Sequence, residues 1–230
     1  MISHAIILAA GLGKRMRPLT DTTPKPLLKV GGKRLIEYHI EGLQRTGVRQ
    51  LVINTGRMGQ QFEESLGDGR RYGVVIRYSH EGDHPLETGG GIVRSLPLLG
   101  EQAFIAVNGD IWTDYDFTAL MSRSPRSGHL VLVNNPDHNP KGDFAFSQGK
   151  IGNEGDPRYT FSGIAVYHKD LFDGHSAAAF SIVPLLRQAI DQQRLTAELY
   201  GGEWFDIGTP RRLAELDQRL RSPQAPLVDC

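Results

Sequence analysis

An apolar run from His4 to Ala9 breaks at once into Ala10-Gly11-Leu12-Gly13-Lys14-Arg15-Met16-Arg17-Pro18-Leu19-Thr20, and Pro24-Lys25-Pro26-Leu27 closes the stretch. A buried strand that ends in a glycine-rich, basic loop limits the fold more than any other part of the chain. Small residues at Ala9, Ala10, Gly11 and Gly13 keep side chains away, so successive N–H groups can face anionic oxygens. Arg15 adds a planar fork of donors and Lys25 a compact point charge. The loop reads as a triphosphate cradle, against the plainer alternative of a glycine turn with solvated charges. It matches neither common phosphate loop. The dinucleotide fingerprint needs glycine where Met16 stands, and the P-loop needs Ser or Thr where Arg15 follows Gly13-Lys14.

The periodicity after the loop alternates. Lys29 to Lys33 reads as a turn, and Leu35, Ile36, His39, Ile40 and Leu43 recur at helical spacing up to Gly47. A strand over Gln50 to Ile53 ends at Asn54, and a helix follows around Phe62 and Leu66. Val74 to Tyr78 is the next strand, Gly89 to about Leu98 the next helix, and Ala103 to Val107 a buried strand entering Asn108-Gly109-Asp110. This order predicts an α/β fold, a three-layer, mostly parallel Rossmann-like sheet with helices on both faces. Ligands of such sheets bind at the C-terminal strand ends. The opening loop, Asn54, Glu81 to Thr88, and Asn108 to Asp110 all fall there.

The second half is less regular. Strands are expected at Leu130 to Val133, Phe161 to Tyr167, Thr196 to Tyr200 and Trp204 to Ile207. A hairpin is expected through Phe144 to Phe146 and Lys150 to Ile151. Helices are expected at Ile182 to Ile190 and from Pro210 onward, the latter capped by Thr209. A single domain over 1–221 and a flexible tail over 222–230 is the economical division.

Composition excludes several classes of function. Lys plus Arg and Asp plus Glu both number 26 in the 230 residues, so the formal net charge is zero. Nothing draws the chain toward nucleic acid or an anionic membrane. The single cysteine, Cys230, cannot form an internal disulfide. No charged-then-apolar leader precedes the first strand, and no apolar run approaches ~20 residues. A soluble, cytoplasmic monomer without a membrane partner is expected.

Two carboxylates close apolar strands beside a glycine, Asp110 in Val107-Asn108-Gly109-Asp110 and Asp206 in Trp204-Phe205-Asp206-Ile207-Gly208-Thr209-Pro210. Each could cap a turn. Thr209 is the better cap for the helix at Pro210, which leaves Asp206 free to hold a metal with Asp110.

These stretches together resemble the sugar-1-phosphate nucleotidyltransferases, which make nucleotide sugars and pyrophosphate. The matches are Leu8 to Thr20 with Pro24 to Leu27, Gly109-Asp110, Phe161-Ser162-Gly163-Ile164, and Trp204 to Pro210. They occur in the family's order and span Leu8 to about Leu216. Pro85 to Ile92, Val107 to Phe117 and Gly142-Asp143-Phe144 are most similar to the compact branch that uses UTP and N-acetylmuramate 1-phosphate. The stretch Glu81-Gly82-Asp83-His84 is one residue longer than that branch's usual loop.

The resemblance implies Arg15, Lys25, Asp110 and Asp206 as the catalytic set, with Mg²⁺ on the two aspartates. It implies a nucleotide site of Gly11, Leu12, Gly13, Arg15, Lys25, Asn54, Glu81 and Gly89, with Glu81 accepting the uracil N3–H. It implies sugar contacts at Asn108, Asp143, Glu154 and Ser162. Asn54 could equally cap its turn, and Glu81 could be a surface turn acid. Glucose or mannose 1-phosphate with dTTP, CTP or GTP is the alternative substrate pair. A non-catalytic nucleotide-sugar sensor is the alternative class.

Overall fold

The computed structural model describes residues 2–123 and 125–222. Apart from Ser222, the tail expected over 222–230 lies outside the described residues, as does Cys230.

The first half runs β1 (His4–Leu8), a small hairpin β2 (Lys29–Val30) and β3 (Lys33–Arg34), α1 (Leu35–Arg45), β4 (Gln50–Thr55), α2 (Gln60–Leu66), β5 (Val75–His80), α3 (Glu87–Leu99), β6 (Phe104–Asn108) and β7 (Ile111–Thr113). The second half runs β8 (Gly128–Val133), β9 (Phe144–Ser147), β10 (Lys150–Gly152), β11 (Arg158–Tyr167), α4 (Val183–Asp191), β12 (Leu195–Tyr200), β13 (Trp204–Asp206) and α5 (Pro210–Arg221).

The main sheet follows the order β5-β4-β1-β6-β11-β8-β12, with the β9–β10 hairpin on the outer half of β11. β5, β4, β1 and β6 are parallel, β11 is antiparallel to β6 and β8, and β12 is parallel to β8. The expected mostly parallel sheet is therefore present, with one reversed central strand.

Strand alternation builds the three layers. Ala5, Ile7, Leu51, Ile53, Ile105 and Val107 face Ile36, Ile40 and Leu43 of α1 and Phe62 and Leu66 of α2. Ile6, Val52, Phe104 and Ala106 face Ile92 of α3 and Leu186 and Ala189 of α4. A period of two in the strands and of about 3.6 in the helices puts every one of these side chains inward. The helix starts are equally local. Glu37 Oε2 accepts the Arg34 N–H at 2.7 Å at the start of α1, and Thr209 Oγ1 accepts the Arg212 N–H at 3.3 Å at the start of α5.

Two elements differ from the sequence reading. Lys29 to Lys33 is a hairpin rather than a bare turn, and Ile111–Thr113 forms a strand where none was expected. β7 is three residues long and follows the Asp110 turn immediately, too short for a period of two to show. It exists because β13, from the end of the chain, pairs with it: Asp206 lies opposite Ile111 and Trp204 opposite Thr113. A third apolar cluster, Met16, Val30, Leu35, Trp112, Ile207 and Leu216, seals this ribbon under α5. Met16 is fully buried there, which explains why the loop has a large residue where a dinucleotide loop has glycine. Among the described residues no helix is long and apolar enough to cross a membrane.

His39 ties α1 to β7. Its ring is 1% exposed, and Nε2 lies 2.8 Å from the Ile111 carbonyl. The carbonyl only accepts, so Nε2 carries the proton. Burial holds the His39 pKa down to about 4, against an ordinary 6.5. The folded state therefore disfavours the imidazolium. His39's contribution to stability is complete above pH 6.5 and declines as pH falls toward about 4. Between pH 7.5 and 4.5 this should remove roughly 2–3 kcal/mol. His39→Gln, which keeps a donor but does not titrate, should lose that much less over the same interval. Urea unfolding midpoints at the two pH values measure the difference.

Candidate active site

Three parallel strands end side by side at one edge of the sheet. Leu8 of β1 is in register with Asn54 of β4 and with Asn108 of β6. The loops leaving these ends enclose a cleft of about 200 Å³, lined by Leu8 to Gly11, Lys25, Pro26, Asn54, Glu81, Pro85, Glu87, Thr88, Asn108 and Asp110. A smaller bay continues behind the opening loop, lined by Ala9 to Leu12, Thr20, Pro24, Lys25 and Gly56 to Met58. Gly11 is exposed, and a Cβ there would have no neighbour within 4 Å, so the backbone is open to a ligand. Leu12 is 40% exposed beside it. Gly13 turns the chain at φ +61°, and its carbonyl accepts from Thr20 Oγ1 at 2.8 Å.

Lys25 and Asp110 meet across the cleft, with Nζ 2.8 Å from Oδ2. The lysine side chain is 11% exposed and the aspartate 44%, so the cation is held in the wall while the carboxylate faces the opening. Asp206 stands beside this pair because β13 pairs with β7, and the Ile207 N–H donates to the Asp110 carbonyl at 2.8 Å. Its own carboxylate is held by Arg212 and His138. Arg212 Nη1 is 2.7 Å from both oxygens and His138 Nε2 is 3.2 Å from one. Arg15 points to the same corner, with its guanidinium carbon 3.6 Å from where a Cβ on Gly208 would stand.

At the other end, Asn54 and Glu81 form a relay. Asn54 is 3% exposed; Oδ1 accepts the Ala9 N–H at 2.6 Å, and Nδ2 donates to Glu81 Oε1 at 2.6 Å. Glu81 Oε2 accepts the Leu86 N–H at 2.7 Å. Burial pushes the Glu81 carboxyl above its ordinary value, while these two bonds work in the opposite direction. Each carboxylate oxygen keeps acceptor capacity beyond these bonds.

A basic glycine loop and acids at strand ends around one cleft fit phosphate chemistry, and comparison with known proteins agrees. The nucleotidyl transferase family matches residues 4–145, more than half of the chain. The chain belongs to this family. N-acetylmuramate alpha-1-phosphate uridylyltransferase of Neisseria meningitidis serogroup B is 48% identical over 220 residues, covering 92% of this chain and 95% of that protein. The protein of the same name from Caulobacter vibrioides is 28% identical, covering 94% and 96%. The inositol-1-phosphate CTP transferase of T. maritima shares the fold at TM-score 0.78 and 22% identity, covering 97% of this chain and 98% of that one.

Within this nucleotidyl transferase cleft the structure gathers Gly11, Lys25, Asn54, Glu81, Asn108 and Asp110, with Leu12 in the adjoining bay. Four other residues expected to contact ligands do not line the cleft or the adjoining bay. Gly89 is buried, and its N–H donates to the Phe180 carbonyl at 3.0 Å. Ser162 is 1% exposed; its hydroxyl donates to the Val131 carbonyl and accepts the Ile164 N–H, which holds the β11 bulge. The Asp143 carboxylate accepts from Asn139 Nδ2 and the Phe161 N–H, clamping its loop onto β11. Glu154 is exposed and lines an outer bay with Lys141, Arg158 and Arg187.

Sequence reasoning missed Arg57, His138 and Arg212. Arg57 lies three residues beyond Asn54, so the strand-end argument could have reached it. His138 and Arg212 carry no local signal, because only the fold brings them to Asp206.

The glycines of α3 pack rather than bind. A Cβ on Gly90 would lie 1.9 Å from the Ala178 carbonyl oxygen, and one on Gly91 2.4 Å from Glu81 Oε1. In an ordinary helix interior, Gly→Ala gains about 1 kcal/mol. Gly90→Ala should reverse that sign, lowering stability and exposing the 176–182 segment to protease. A thermal melt and limited proteolysis provide the check.

Proposed function

We propose that the protein transfers UMP from UTP to N-acetylmuramate α-1-phosphate, giving UDP-N-acetylmuramate and pyrophosphate. The observation that carries this reading is the 48% identity to a uridylyltransferase of that specificity, running over 92% of this chain. Such a reaction returns cell-wall muramate to an activated pool, as in peptidoglycan recycling, and draws on cytoplasmic UTP.

In this reading uridine lies over the Glu81 end, with a free lone pair of the carboxylate accepting the uracil N3–H. The triphosphate follows the Gly11, Leu12 and Gly13 backbone. The sugar phosphate approaches from the Asn108 side, where that side chain lines the cleft. Its oxygen is already ionised at neutral pH, so no residue has to remove a proton. The chain's task is then alignment for in-line attack and neutralisation of charge. Lys25 and Arg15 offset charge at the phosphates from opposite sides of the loop.

Asp110 and Asp206 are the residues that would hold Mg²⁺. They offer hard carboxylate oxygens, and each already faces a cation, Lys25 or Arg212. Among the described residues no group of three or more His, Cys, Asp or Glu side chains converges to hold a metal. This suits Mg²⁺, which keeps several waters and uses one or two carboxylates with substrate phosphates. When bound, the ion supplies Lewis-acid neutralisation of phosphate oxygens.

The purified protein should release pyrophosphate with UTP and N-acetylmuramate 1-phosphate, and EDTA should stop it. Turnover confined to glucose or mannose 1-phosphate, or to another nucleotide, would reject the muramate and UTP assignment. Asp206→Asn should lower kcat by roughly 10²–10³ with little change in the melting temperature. Near wild-type turnover in that variant would make Asp206 a structural partner of Arg212 and His138.

A further inference from the structure

The bay behind the opening loop contains a cation to which no role has been assigned. It shares Ala9, Ala10, Gly11 and Lys25 with the main cleft, and its outer wall is Gly56, Arg57 and Met58. Lys25 and Arg57 are its charged residues, and no acid lines it. The wall is fixed against the loop at two points. A Cβ on Gly56 would lie 2.7 Å from the Ala10 carbonyl oxygen, so only glycine lets the turn after β4 come this close. Gln61 Nε2 donates to the Thr22 carbonyl at 2.9 Å, tying the start of α2 to the far end of the loop. Arg57 lies between these points and is exposed. Arg15, the loop's own arginine, points instead toward Gly208 and the Asp206 corner.

We propose that Arg57 is the cation that receives the β- and γ-phosphates of the nucleotide and the pyrophosphate they leave as. The proposal rests on the nucleotidyl-transfer reading but not on the identity of the sugar. A triphosphate laid along Ala9 to Gly11 from the main cleft would extend its end into this bay, which shares those residues with the cleft. As the sugar phosphate oxygen bonds to the α-phosphorus, the bond from that phosphorus to the bridging oxygen of the β-phosphate breaks. The electron pair stays on the bridging oxygen, and the departing pyrophosphate gains a negative charge within the bay. A guanidinium there offers two parallel N–H donors to phosphate oxygens. Without Arg57, Lys25 would be the one charged side chain lining this bay.

The test compares UMP, UTP and inorganic pyrophosphate binding, each with Mg²⁺, to the wild type and to Arg57→Ala, Arg57→Lys and Arg15→Ala by calorimetry. Arg57→Ala should weaken UTP and pyrophosphate by about tenfold and leave UMP unchanged. Arg57→Lys should recover part of the loss. In the reverse reaction Arg57→Ala should raise the KM for pyrophosphate by a similar factor, with the KM for the nucleotide sugar unchanged. Unchanged UMP affinity also shows that the variant is folded. Equal affinities of wild type and Arg57→Ala for UTP and pyrophosphate would overturn the proposal. So would a loss confined to Arg15→Ala. If the wild type binds neither UMP nor UTP, the nucleotidyl-transfer reading fails first, a result distinct from either.

Discussion

The site depends on the register of three parallel strands. β1 is hydrogen-bonded to β4 on one side and β6 on the other, and Leu8, Asn54 and Asn108 end level with one another. Beyond Leu8 the ladder is continued by other groups. Asn54 Oδ1 takes the Ala9 N–H, and the Gly109 N–H donates to the Leu8 carbonyl at 2.8 Å. These two bonds satisfy backbone groups that a loop would otherwise leave open in a half-buried edge. They also fix where the glycine loop leaves the sheet, and so the distance from Lys25 to Asp110. A slip of one residue in β1 would invert its two faces and move the loop away from both neighbours.

Charge in and beside the cleft is arranged in pairs. Lys25 with Asp110, and Arg212 with Asp206, neutralise groups that would otherwise be costly to hold partly desolvated. In the first pair the aspartate is the more exposed member. Local fields of this kind coexist with a formal net charge of zero, so global composition spoke only against large anionic partners. A cleft of this kind has no need of a perturbed acid or base. Its one resolved carboxylate shift, at Glu81, lies at the end remote from the two aspartates and comes first from burial.

What the sequence disclosed, and what it concealed, follows from the range of the interactions. The alternation of strands and helices, the glycine loop and the strand-end acids are local patterns, and the sheet, the cleft and the Lys25–Asp110 pair follow from them. Ser162, Asp143 and Gly89 were expected to contact ligands because each is a polar or small residue in a matching stretch. Their polar groups bond to Val131, Phe161 and Phe180, partners 31, 18 and 91 residues away in the chain. No local pattern reports whether a hydroxyl or an N–H is already satisfied. Met16 is the converse case. As a failed glycine it argued against a dinucleotide loop, and its burial against Trp112, Ile207 and Leu216 shows what it does instead.

The joining of the two halves of the chain follows from the same contrast. Asp110 lies on the first-half sheet, and Asp206 arrives nearly a hundred residues later on a strand of three residues. A ribbon that short has little stability of its own. It is held by His39 from α1 beneath Ile111, and by α5 packing Leu216 onto Trp112 and Ile207. The metal-binding arrangement proposed for the two aspartates therefore depends on elements outside the cleft lining. Loosening α5 or the His39 contact would separate the carboxylates without altering either one. That coupling makes Asp206 the most context-dependent member of the set, while Lys25 and the glycine loop take their geometry from β1 and its neighbours in the first-half sheet.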